Sequence, residues 1–149
     1  DNFVYIMKVR FGNRLEFTKK IPDGSFPQKI PSMTLQPLVE NCIKHGLKNT
    51  KGKVCLEVSR EEKHIVISIS DNGEGMPDKT REAVFKAVAA ETTRLPENVL
   101  DDKSSHNGTG LISVFLRLQL QFHRYDLFDI SSGDNKEGTK FIIRIPDHV

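Results

Sequence analysis

Three short stretches carry residue types that could act on a ligand with phosphates and a flat base. The first holds Asn41, Lys44 and His45. In a helix, positions i, i+3 and i+4 share one face. An amide oxygen is a hard ligand suited to Mg²⁺, an ammonium meets a phosphate, and an imidazole stacks on a base. Without its context, the trio reads most simply as ordinary polar helix surface. The second stretch is Asp71-Asn72-Gly73-Glu74-Gly75-Met76-Pro77, which follows an apolar run directly. An aspartate at a strand end can accept from the exocyclic amine of adenine, a charge-assisted bond that gains strength in a dry site. Gly73 and Gly75 allow close backbone approach and positive φ. A plain turn is the competing reading. A calcium loop of EF-hand type is excluded, because no bidentate glutamate follows at the required position. The third stretch is His106-Asn107-Gly108-Thr109-Gly110-Leu111. Glycines at a helix start leave amides free for an anion. It is no Walker loop, since no Gly-Lys-Ser/Thr follows. It is no dinucleotide fingerprint either, since a polar loop and not a strand precedes it.

These stretches need elements to hold them. Residues 1–11 are apolar-rich and read as a helix end, and residues 14–18 alternate as a short strand. Thr34 is a candidate N-cap for a helix with Leu35, Leu38, Val39, Cys42 and Ile43 at helical spacing. Pro37 falls in its first turn, where a missing donor costs little. Val54, Leu56 and Val58, then Ile65, Ile67 and Ile69, alternate on either side of the polar turn at residues 60–63, the pattern of an antiparallel hairpin. Residues 78–91 have helical propensity. Residues 92–107 are polar and irregular, and a long loop in a compact domain is usually functional. Leu111, Val114, Phe115, Leu118 and Phe122 then mark a helix face. A strand at 126–132, a turn at 133–135 and a last strand at 139–145 follow. This order predicts an α/β two-layer sandwich, a mixed sheet covered on one face by helices.

Bulk properties exclude several classes. The 149 residues suit one domain able to bury a core without staples. With 37% apolar and 28% charged residues, the chain reads as globular. Its net charge of +2 comes without a basic stripe, which argues against a nucleic-acid partner. Cys42 and Cys55 lack metal-ligand spacing and read as buried thiols in a reducing compartment. No apolar run reaches membrane-spanning length, so no direct membrane contact is expected of this stretch. The opening Asp1-Asn2-Phe3, mid-pattern and without Met, reads as part of something longer.

Together the motifs become specific. Leu35-Gln36-Pro37-Leu38-Val39-Glu40-Asn41-Cys42-Ile43-Lys44-His45-Gly46 resembles the N box of sensor histidine kinases, and most resembles the LytS/YesM-like group, whose pattern is close to LQPLVENAIKHG. Asp71 to Gly75 is similar to the G1 box, DxGxG. Gly108-Thr109-Gly110-Leu111 resembles the G2 box, Gly138-Thr139 the closing GT, and Arg10-Phe11-Gly12-Asn13-Arg14-Leu15 the upstream RFGDRL stretch. The resemblance spans nearly the whole chain.

The resemblance implies membership of the GHKL superfamily, with the Bergerat ATP-binding fold. It implies an ATP-binding catalytic domain at 12–149, with a lid at about 78–107 and a residual tail of an upstream helical segment at 1–11. It implies ATP and Mg²⁺ as cofactors. Asn41 would ligate the magnesium and Lys44 would meet the phosphates, the two being the expected catalytic pair. His45 would lie by the nucleotide and Asp71 would bind the adenine amine. Gly73, Gly75 and Met76 would shape the base pocket, Gly108, Thr109, Gly110 and Leu111 the phosphate side, and Thr139 would support the adenine edge. The lid is expected to be poorly ordered without nucleotide.

The implied activity is transfer of the γ-phosphoryl group to a histidine in a dimerisation segment of the same protein, with a response regulator downstream. The parent protein would be membrane-anchored, with this domain cytoplasmic. Five histidines occur, at 45, 64, 106, 123 and 148; the last four each read as surface residues, not acceptors. Ser113 replaces the Asn that usually follows the G2 box, and Asn107 stands where a fuller glycine run is common, while Arg117-Leu118 are kept. These departures leave room for a degenerate, non-catalytic nucleotide module. ATP-hydrolysing relatives place an acidic base one turn before the magnesium Asn. Pro37 stands there and cannot polarise water, which argues against an ATPase of that kind.

Overall fold

The computed structural model describes residues 2–24, 34–46, 51–93, 109–124, 126–132 and 137–147. In chain order they form helix α1 (Asn2–Phe11), a 3-10 turn (Gly12–Arg14), strand β1 (Leu15–Lys20), helix α2 (Leu35–Gly46), strands β2 (Gly52–Glu61) and β3 (His64–Asp71), helices α3 (Asp78–Thr93) and α4 (Thr109–Phe122), and strands β4 (Phe128–Ser132) and β5 (Thr139–Pro146). The five strands make one sheet in the order β1-β2-β3-β5-β4. β1 runs parallel to β2 and every other neighbour is antiparallel, so the sheet is mixed, as expected.

Strand periodicity sorts the side chains. Successive residues of a strand point to opposite faces. The register sets Leu56 opposite Ile69, Ile69 opposite Phe141, and Phe141 opposite Ile130, all buried on one face. Leu38, Val39, Cys42 and Ile43 of α2, Val84 and Val88 of α3, and Leu111, Val114, Phe115 and Leu118 of α4 join them in one core. Each helix repeats its apolar positions at three- and four-residue steps, the condition for facing a flat sheet. A stack of rings joins the layers: Phe128 of β4 lies between Phe115 of α4, at 3.6 Å between centroids, and Phe85 of α3, at 5.6 Å.

Cys42 is fully buried, whereas Cys55 is only half-buried. The expectation of two buried thiols is corrected for Cys55. Val54 and Leu56 take the core side of β2, so alternation turns Cys55 to the other face. In α1, Tyr5, Ile6 and Val9 are exposed, and Met7 and Phe11 pack on the core. No helix among the described residues is long and apolar enough to cross a membrane.

Candidate functional site

The central strand β3 delivers Asp71 to its end. Asp71 continues the series Ile65, Ile67, Ile69, so the pleat turns its carboxylate toward the helices. It is 9% exposed, and a neighbour holds it by a hydrogen bond. The Gly73 N–H donates to Asp71 Oδ1 at 2.8 Å, closing an Asx turn. Cys42 of α2 lies near enough to the same side chain to feel its charge. Burial first, and then the charge and hydrogen bonding of Asp71, push the Cys42 thiol well above its ordinary pKa of 9.0, so it stays protonated at neutral pH.

The loop beyond Asp71 is locked backbone to backbone. Gly138, at φ +68°, lies so close that an added Cβ would stand 1.9 Å from the Asp71 carbonyl oxygen. Gly75, at φ +81°, would place a Cβ 3.0 Å from the Gly138 oxygen. Only glycine meets both the left-handed geometry and the approach. Asn72 ties the loop to β2: its Oδ1 accepts from the Lys53 N–H at 2.8 Å, and its own N–H donates to the Lys53 carbonyl at 3.3 Å. The register that pairs Ser70 with Lys140 runs one step further toward Asp71 and Thr139. Thr139 is buried and shares the core-facing parity of Phe141, so the two polar groups lie side by side on the helix face. Met76 is half-buried against the core edge.

Helix α2 carries Asn41, half-buried, and Lys44, exposed one turn on. The backbone of His45 continues the helix; its side chain lies outside the described residues, as does Gly108. Thr109 and Gly110 open α4. A Cβ on Gly110 would meet Pro37 Cβ at 3.9 Å, so the first turns of α2 and α4 abut. Leu111 sends its side chain into the core, leaving its backbone for any ligand.

Thus Cys42, adjoining Asn41, lies near Asp71, while Pro37, one turn before Asn41, lies near Gly110. The structure brings the amide-bearing helix, the acidic strand end and the glycine-led helix start to one place. Residues 28–149 match the family model described as "Histidine kinase-, DNA gyrase B-, and HSP90-like ATPase". The chain belongs to that ATPase family.

Several curated relatives of this family share its sequence. It is 28% identical to the sensor protein LytS of Streptococcus agalactiae over 153 residues, spanning 100% of the chain and 23% of that protein. It is 33% identical to LytS of Oceanobacillus iheyensis over 143 residues, 95% of the chain and 23% of that protein. With the sensor histidine kinase BtsS of Escherichia coli it is 35% identical over 102 residues, 67% of the chain and 18% of that protein. The chain therefore spans about a quarter or less of these relatives. Among solved structures, the catalytic domain of histidine kinase ThkA superposes with a TM-score of 0.61 at 16% identity, covering 98% of this chain and 92% of that one. The mycobacterial sensor histidine kinase MprB superposes with the same TM-score, covering 98% and 90%. This likeness establishes the Bergerat α/β sandwich.

Three contributors escaped the sequence reading. Cys42 reads there as a core thiol, but it also lies near Asp71. Asn72 has no role of its own there, but it clamps β2. Gly138 reads as a border residue, but it interlocks with the Asp71 backbone. Cys42 had one available signal: it lies four residues after Leu38 on the inward stripe, next to Asn41.

The expected lid at about 78–107 divides at α3. Val84 and Val88 of α3 are buried in the core, and residues 94–108 lie outside the described set, together with the expectation about their order.

Proposed function

We propose that this domain is the ATP-binding catalytic domain of a two-component sensor histidine kinase, passing the γ-phosphoryl group of Mg-ATP to a histidine on a dimerisation segment of the same protein. The observation that carries this reading is the buried Asp71 carboxylate at the end of the central strand, against the helix that bears Asn41. A carboxylate has roughly four lone-pair sites. The Gly73 N–H donor leaves capacity for the exocyclic amine of adenine. Thr139 stands beside it to support the same edge. Gly73 and Gly75, with Met76 at the core edge, allow a base to approach closely.

On the phosphate side, Lys44 is exposed and free to reach a γ-phosphate, and His45 follows it. Thr109 and Gly110 open α4, and the amides of a helix start favour anions; Gly108 precedes them in the sequence. Asn41 fits a magnesium ion: its amide oxygen is a hard ligand, and no group of three or more His, Cys, Asp or Glu converges among the described residues. That donor set suits an ion held largely by phosphate oxygens. Bound magnesium supplies charge neutralisation on the phosphates. Asn41 orients it and Lys44 adds positive charge, and such positioning is most of what phosphoryl transfer needs. The sensor-kinase relatives support a response regulator as the next partner and a membrane-anchored parent protein with this domain in the cytoplasm.

A GHKL ATPase is disfavoured, because Pro37 occupies the turn before Asn41 and offers no proton acceptor. One observation favours a non-catalytic nucleotide module: Ser113, half-buried in α4, replaces the usual Asn. Transfer of label from γ-labelled ATP to a mapped histidine in the full-length protein decides between them. Labelling at one histidine, lost with Asn41→Ala, supports the kinase. ADP binding without any labelling supports the silent module.

A further inference from the structure

We propose that Asn72 is a positioning residue for base recognition: its side chain replaces its own main-chain carbonyl in the β2–β3 ladder, which frees the chain to turn at Gly73 while Asp71 stays fixed to the sheet. The inference deepens, and rests on, the nucleotide-binding reading of Asp71. Pairing of β2 with β3 runs as far as Val54 opposite Asp71. One step further, Asn72 and Lys53 still exchange two hydrogen bonds, but only one is of ladder type. The Asn72 N–H donates to the Lys53 carbonyl at 3.3 Å. The Lys53 N–H donates to Asn72 Oδ1 at 2.8 Å, where a continuing strand would offer a main-chain carbonyl. The peptide beyond Asn72 is thereby released from the ladder. It turns at once, and the Gly73 N–H reaches back to Asp71 Oδ1 at 2.8 Å.

Adjacent residues thus divide the work. Asp71 is buried and faces the proposed base, whereas Asn72 is exposed and reaches across to β2. The Gly73 bond alone cannot fix the carboxylate in space, because it closes a turn two residues long that moves as one piece. Lys53 belongs to another strand and supplies an outside anchor. On the other side lies Gly138, where an added Cβ would stand 2.9 Å from the Asn72 Cα. That backbone contact resists approach; the bonds to Lys53 resist withdrawal. Without Oδ1, one bond remains at 3.3 Å, longer than the usual range. Lys53 and Asn72 are both exposed, so water can satisfy the abandoned amide and the fold survives the change. What is lost is the fixed direction of the Asp71 carboxylate.

Calorimetric titration with ADP and with IDP, on wild type, Asn72→Ala, Asn72→Asp and Asp71→Ala, tests the role. Aspartate keeps an oxygen acceptor in the same place, and alanine keeps none. Asn72→Ala should bind ADP about threefold to tenfold more weakly, the size of one modest hydrogen bond. IDP carries a carbonyl where adenine has its amine and cannot donate to Asp71 there. It should lose less, so the preference for ADP narrows. Asn72→Asp should stay within about twofold of wild type. A second readout needs no variant. Base binding and closure of the clamp must favour each other equally. ADP should therefore slow hydrogen exchange at the Lys53 amide more than at Glu61, the far end of the same strand. If Asn72→Ala matches wild type for both nucleotides while Asp71→Ala loses ADP, the positioning role fails and the nucleotide site stands. Equal losses for ADP and IDP, equal losses in Asn72→Ala and Asn72→Asp, or a Lys53 amide indifferent to ADP overturn it as well. If wild type binds no ADP, the nucleotide reading falls and takes this inference with it.

Discussion

The two ends of the site are built differently. At the Asp71 end, every group is placed by sheet register or by glycine backbones in contact, and the polar side chains, Asp71 and Thr139, are buried. At the Asn41–Gly110 end, the groups lie on helix surface: Asn41 is half-buried, Lys44 and Gly110 are exposed, and even a Cβ added at Gly110 would come no closer to Pro37 than ordinary van der Waals contact. The difference matches what each end has to recognise. A flat base with one directional amine needs fixed geometry. Phosphates with spread charge need donors and cations that adjust, because Coulomb attraction falls off slowly with distance compared with a hydrogen bond.

The contrast predicts a ladder of effects. Asp71→Ala should strike hardest, removing the buried carboxylate proposed to accept from the base. ADP affinity should fall on the order of a hundredfold, about 2–3 kcal/mol for a bond to a charged acceptor, and the ADP-induced rise in melting temperature should vanish. A variant that still gains several degrees with ADP would dissolve the distinction between the ends.

The same glycine-to-alanine change then probes both ends by urea unfolding. Gly138→Ala must relieve a 1.9 Å clash with the Asp71 backbone at a φ of +68°, at a cost of about 2–4 kcal/mol. Gly110→Ala meets Pro37 at 3.9 Å with no positive φ, and should change stability by less than about 1 kcal/mol. Equal costs would mean that the ends are equally rigid.

Asn41→Ala should weaken ADP binding about tenfold with Mg²⁺ present and leave it unchanged in EDTA, when titrated calorimetrically. A loss that persists in EDTA would assign Asn41 to the base or the fold instead.

The smallest effect concerns alkaline pH. The folded thiol of Cys42 titrates above its ordinary value of 9.0, so the unfolded chain releases that proton first. The stability this contributes is complete below that value and declines as pH rises beyond it. Unfolding midpoints from about pH 8 to about pH 10 should therefore fall more in wild type than in Cys42→Ala. Parallel curves would show that the thiol is less shielded than its packing implies.

Much of this was legible in the chain. Alternation through Ile65, Ile67 and Ile69 runs straight into Asp71, so the pleat alone put that carboxylate on the core side. The three- and four-residue steps from Leu38 to Cys42 set Asn41 at the edge of a buried stripe. Contacts between elements were not legible. The approach of Cys42 to Asp71 depends on how far α2 slides along β3, which no local pattern encodes. The place of β5 between β3 and β4 and the parallel pairing of β1 with β2 are tertiary choices too. The half-exposure of Cys55 was available from the Val54–Leu56 alternation, but its apolar surroundings masked it. Gly138 stood out only as part of the closing GT, while its interlock with Asp71 depends on where the two segments meet.

Among the described residues, β1 and β4 form the two edges of the sheet, and each is short and interrupted by charge. β1 has six residues, with Glu16, Lys19 and Lys20 exposed; β4 has five, with Asp129 exposed. A brief strand studded with charges is a poor template for another copy to add onto. The sheet edges of the domain should accordingly resist fibril growth by strand addition.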